Sequence, residues 1–179
     1  GIEVELRPST GAVENLLRLK TDDSVDIGFI QGGIANEPES DDLATLGSMY
    51  LEPVWVFYRG KAQLDRLDQL KGLKIAIGQP GSGAQLFALQ LLAANGVATH
   101  DPRLVTLGGM TAVDALKRGD VDAFFVVGAP QAPVVDALLH TDGISLLNFA
   151  QADGYVRHFP HLLKVTLPRG AIDIRGDQP

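Results

Sequence analysis

The chain contains no cysteine, which excludes disulfides, thiolate catalysis and zinc held by cysteine. Positive charge is scarce: 15 lysines and arginines stand against 22 aspartates and glutamates, a formal net charge of −7. Phosphate binding needs a basic stripe, so nucleic acid is excluded as a main partner. No Walker A loop, no Gly-x-Gly-x-x-Gly fingerprint and no Gly-x-Ser-x-Gly elbow occurs. There is no short-period repeat and no low-complexity tract. The one long stretch without a charged residue, 75–99, contains Pro80, Gly81, Ser82, Gly83 and three glutamines. A membrane helix there would be broken and would leave polar groups in lipid. It reads instead as a buried strand, a turn and a helix.

What is present fits a folded chain. Of 179 residues, 45% are hydrophobic and 21% charged, enough for one domain or two small lobes. The first residue is Gly1, and residues 2–6 already read as a strand, so the expected molecule is a fragment of something longer. Strands are expected at 4–7, 25–31, 74–78, 104–107, 121–127 and 144–149. Helices are expected at 10–19, 84–95, 111–118 and 134–139, with a short one across Leu64, Leu67 and Leu70 that Gly72 stops. Gly96 and Gly119 end two of the others. Residues 43–59 are rich in β-formers but interrupted by Pro53, which suggests two strands joined there, or an edge position. The acidic tract from Glu37 to Asp42 reads as a solvated loop. Strands alternating with helices imply βαβ units and a largely parallel sheet. Two such sets suggest two lobes, the first incomplete.

Two strand–turn–helix junctions carry the chemistry. In Gln79-Pro80-Gly81-Ser82-Gly83-Ala84-Gln85 the glycines permit a sharp turn, and the free N–H groups of the helix start can grip a carboxylate or phosphate. Ser82-x-x-Gln85 also has capping-box spacing, so plain helix capping is the competing reading. Ser9-Thr10-Gly11-Ala12 repeats the arrangement at another helix start. Facing each other across a cleft, the two would hold the acidic end of a small carboxylate. Catalytic readings are poor. His158 and His161 have i, i+3 spacing, but Pro160 breaks a helix between them and no paired carboxylate flanks them; His100 and His140 stand in no motif. Asp120 and Asp122 read as a turn and strand entry. Phe124 and Phe125 point to opposite faces of one strand, one into the core and the other free to line a cleft.

Residues 9–16, 25–31, 70–83 and 116–125 together, in this order, resemble the TAXI family of solute receptors of TRAP transporters. The resemblance spans nearly the whole chain. It implies a two-lobe α/β periplasmic-binding-protein-like fold of type II, here a fragment lacking parts of lobe one. The expected division is 1–59 as partial lobe one plus a hinge strand, 60–165 as lobe two and 166–179 as the start of a return segment, with 43–59 supplying a crossing strand. The resemblance places Ser9, Thr10, Gln31, Ser82 and Gly83 near the cleft, with Phe125 as a wall. It implies an extracytoplasmic receptor, periplasmic or membrane-anchored in its full-length form, that passes an organic acid or amino acid to a membrane permease. No cofactor and no metal is expected. A ligand-sensing domain of a transcription regulator and a pyrimidine-precursor enzyme on the same bilobal fold stay open as alternatives.

Overall fold

The computed structural model describes residues 1–35, 42–172 and 174–175. The acidic tract lies outside them except for Asp42, which is exposed. Five strands form one sheet: β1 (Val54–Arg59), β2 (Ile75–Ala76), β3 (Leu104–Val105), β4 (Ala123–Val127) and β5 (Ile144–Leu146), in the order β3-β2-β4-β1-β5. β2 pairs in parallel with both β3 and β4, while β1 pairs antiparallel with β4 and β5. The sheet is therefore mixed, which corrects the expectation of a largely parallel one. Helices α2 (Gly83–Ala94), α3 (Gly109–Arg118) and α4 (Pro133–Leu139) link β2 to β3, β3 to β4 and β4 to β5. Each such crossover returns the chain in the same direction, so these four strands agree. β1 is joined to β2 without a full helix, only a 3₁₀ turn at Leu67–Leu70, and runs against the rest.

Alternation along the strands sorts side chains to two faces. Val56, Tyr58, Ile75 and Phe125 face α2 and the 3₁₀ turn, where Leu67, Leu70, Phe87, Leu91 and Leu92 close the first core. Trp55, Phe57, Ala76 and Phe124 face α3 and α4, packing on Val113, Leu116, Val135 and Leu138. Each of these large side chains, fully buried, contributes roughly 1.5–3 kcal/mol of transfer free energy. α2 has no charged residue because its faces are covered along most of its length. Among the described residues no helix is long and apolar enough to cross a membrane.

The N-terminal part departs from expectation. Helix α1 (Ala12–Thr21) forms, and Ala12 and Leu16 pack with Ile34 and Leu86 in a small third core. The strands expected at 4–7 and 25–31 do not form, and in 43–59 only the part after Pro53 is a strand. The alternation of Ile2, Val4 and Leu6 is genuine, yet these side chains are 95%, 74% and 87% exposed. A strand needs a ladder partner, and the described segments offer none beside them. Pro53 is instead the lead-in to β1, its carbonyl accepting from the Gly128 N–H at 3.1 Å. A further helix, α5 (Ala152–His158), was not expected; Tyr155 anchors it edge-on to Phe149 and donates to Asn95 Oδ1 at 3.0 Å.

Candidate functional site

β2 ends against the turn that opens α2, and hydrogen bonds within that turn fix its shape. Ser82 is the N-cap: its Oγ accepts from the Gln85 N–H at 3.2 Å and donates its proton to the Gln79 carbonyl at 2.7 Å. Gln85 reaches back so that its Oε1 accepts from the Gly81 N–H at 2.9 Å. The capping expected from the Ser82-x-x-Gln85 spacing is thus realised, shifted by one residue at its second bond. A consequence is that the Ser82 hydroxyl has no proton left for an anion. The first-turn N–H groups of Gly83 and Ala84 remain as the orphan donors of this helix start.

The other junction is built alike but charged. Glu14, at the position in α1 equivalent to Gln85 in α2, accepts from both the Thr10 N–H at 2.7 Å and the Thr10 Oγ1–H at 2.6 Å. Its other oxygen accepts from Arg18. The Thr10 bonds, chiefly, hold the Glu14 carboxyl below its ordinary range. Thr10 therefore has its donors committed to the chain's own carboxylate, and Ser9 beside it is exposed.

Tertiary packing brings these pieces together. A β-carbon on Gly11 would stand 3.7 Å from Ser82 Cα and 4.0 Å from the Gly81 carbonyl oxygen, so the two junctions touch. Gln31 lies over Gly83: a β-carbon there would overlap the Gln31 amide oxygen and come within 2.7 Å of Cδ and 2.9 Å of Ile34 Cδ1. A larger residue there would have to push the Gln31 amide and the Ile34 methyl aside. From that position the Gln31 Nε2–H donates to Glu52 Oε2 at 2.7 Å. Gln31, Ser82, Gly83 and the Ser9–Gly11 junction thus converge from segments 20 to 74 residues apart in sequence, and Glu52 joins them unforeseen. The clue to Glu14 was present in the sequence, three residues after Gly11, but glycine at the cap hid the box.

Phe125 does not join this group. It is 2% exposed and packed in the core beneath α2 rather than on an open wall. His161 does not pair with His158: its ring lies on Gly33 and edge-on to Phe87 and Phe159. Among the described residues no three His, Asp or Glu side chains gather as metal ligands.

A family model described as the NMT1-like family matches residues 1–178. The chain belongs to the NMT1-like family. Several solved structures are similar to this NMT1-like chain in part. The periplasmic aliphatic sulphonate binding protein SsuA from Escherichia coli is 25% identical over 54% of this chain and 33% of that one, with a TM-score of 0.45. The alkanesulfonate-binding SsuA from Xanthomonas axonopodis pv. citri, bound to MOPS, is 26% identical over 60% and 40%, with a TM-score of 0.44. The AvGluR1 ligand binding domain in complex with glutamate is 16% identical over 80% and 57%, with a TM-score of 0.51. The NMT1-like chain therefore spans between a third and three-fifths of the length of these structures. It shares the fold of the AvGluR1 ligand binding domain, of the type II periplasmic-binding-protein kind.

Proposed function

We propose that the chain is part of an extracytoplasmic solute receptor. Its ligand is a small organic acid or amino acid, seated where the Gly11 junction and Gln31 meet the start of α2. The carrying observation is that convergence: Gly11 against Gly81–Ser82, and Gln31 across Gly83. Belonging to the NMT1-like family, and having a periplasmic-binding-protein fold, support the reading. The division into 1–59, 60–165 and 166–179 as part-lobe, lobe and return segment belongs to it, as does delivery to a TRAP-type permease of the TAXI class.

The geometry refines the anion seat. With the Ser82 proton on Gln79 and the Thr10 donors on Glu14, the acid end of a ligand goes to the N–H groups of Gly83 and Ala84. There a helix terminus contributes roughly 0.3–1 kcal/mol, and up to about 2 when partly buried. The same committed proton argues against Ser82 as a nucleophile, since no histidine takes it. In this packing Gln31 covers the seat, so a ligand has to displace its amide.

The test is a thermal-shift panel of amino acids, dicarboxylates and sulfonates, followed by calorimetry on Gly83→Ala and Gly83→Pro. Both variants add the same β-carbon, but only proline deletes the N–H. Proline is tolerated at a first helical position, and Ser82 already has the extended backbone it requires (φ −76°, ψ 149°). Binding is expected to weaken at least about tenfold from Gly83→Ala to Gly83→Pro, an effect of about 1.4 kcal/mol. Equal affinities, or no ligand in the panel, would refute the reading.

A further inference from the structure

His161 closes a contact on which the Gln31 turn depends. A β-carbon on Gly33 would overlap its Nε2 and lie 2.7 Å from its Cδ2, and one on Gly32 would lie 3.4 Å from its Cβ. The ring thus rests directly on backbone, and Gly33, at φ +83°, is in the left-handed region that favours glycine in any case. Phe87 of α2 and Phe159 approach the ring edge-on, with centroids 6.1 and 6.0 Å away. On the other side of the turn the Gln90 amide of α2 reaches the Gly33 carbonyl at 3.5 Å, and the Ile34 N–H donates to the Gln31 carbonyl at 3.4 Å. Apart from these weak bonds, the turn carrying Gln31 is held against α2 by His161 and Ile34, and to the segment before β1 by Glu52.

We propose that His161 is a proton-sensitive latch: its neutral ring holds the Gln31–Ile34 turn on α2, and its protonation releases that turn and with it Gln31. The niche is unfavourable to an imidazolium because none of the described residues packed on the ring carries charge. α2 contains no ionisable residue, and the described turn at 31–35 contains none. On its own segment the nearest ionisable residues are His158, at the end of α5, and Lys164, whose ammonium donates to Asp153 at 3.0 and 3.1 Å. Although one side of His161 stays open to water, loss of hydration on the packed side holds the imidazole below its ordinary value. The latched state is therefore fully favoured above about pH 6.5, and that advantage is lost as pH falls from there through the lowered value of the packed ring. The latch is independent of any ligand; its consequence for binding rests on the receptor reading above.

Hydrogen exchange at the Ile34 amide, followed by NMR at about pH 7.5 and about pH 5 and corrected for intrinsic rates, tests the latch without a ligand. Wild type is expected to lose part of its protection at the lower pH. His161→Phe, which keeps a ring but cannot titrate, is expected to stay protected at both. His161→Ala is expected to be poorly protected at both. Unchanged wild-type protection, or the same pH-dependent loss in His161→Phe, would overturn the proposal. The phenylalanine variant decides the matter even where the alanine one fails to fold. Failure of the ligand panel bears on the receptor reading alone.

Discussion

The starts of α1 and α2 are the same device in two charge states. In each, the side chain at the third helical position turns back to accept the N–H of the residue before the cap: Glu14 from Thr10, Gln85 from Gly81. Glutamate brings a negative charge to the helix terminus, and Arg18 answers it. Glutamine brings none, so the α2 terminus keeps its partial positive charge and its free N–H groups for something else. The two junctions touch, yet only one is electrostatically open to an anion. Their foundations differ too: α2 is set into the larger core with Phe87, Leu91 and Leu92, whereas α1 is held by Ala12 and Leu16 in the small third cluster.

The largest effect that separates these regions is expected from Phe125→Ala. Deleting a ring that is 2% exposed beneath α2 is expected to cost about 3–5 kcal/mol in chemical denaturation. If stability were kept and only ligand affinity fell, Phe125 would be a cleft wall and not a core residue. Next comes Gly83→Val, which overpacks the meeting of Gln31, Ile34 and α2. A loss of about 1–3 kcal/mol is expected, with faster proteolysis of the N-terminal segment; an unaltered cleavage rate would mean that the segment does not depend on this contact.

Ser82→Ala removes the neutral cap and is expected to lower stability by about 0.5–2 kcal/mol. Affinity for a ligand of the panel is expected to fall by less than it does in Gly83→Pro, because the Ser82 proton is already given to Gln79. A larger fall would restore the hydroxyl to the site. The smallest effect belongs to the charged junction. Glu14 is held below its ordinary range chiefly by Thr10. Its contribution is therefore present above that range and is lost as pH falls through the lowered value, from about pH 5 downward. Thr10→Ala removes the hydroxyl bond, the larger of the two causes, and keeps the backbone N–H bond, so the acid limb of a melting-temperature profile is expected to flatten in part. A profile unchanged from wild type would show that the Thr10–Glu14 bond does not persist in solution.

Much of this was legible in the chain itself. Apolar spacing and the stops at Gly72, Gly96 and Gly119 located the 3₁₀ turn, α2 and α3, because helix signals are local. Ser82 as a cap followed from its distance to Gln85. The short α5 escaped notice because its sequence, with Gly154 inside and no buried residue, is a weak helix; packing of Tyr155 on Phe149 and Asn95 sustains it. The strands expected at 4–7 and 25–31 failed for the opposite reason: a strong local pattern without a partner makes no ladder.

The sequence by itself determined the alternation of strands and helices, the two glycine-bearing helix starts and the absence of thiol chemistry, since each depends on neighbours a few residues away. Only the tertiary structure decided that β1 runs against the other four strands, that Gly11 touches Ser82, that Gln31 lies across Gly83 toward Glu52, and that His161 rests on Gly33. These contacts join residues from 21 to 128 positions apart in sequence. No local preference encodes such a separation. It is fixed when the apolar faces of strands and helices close on one another and carry the polar turns at their ends into place.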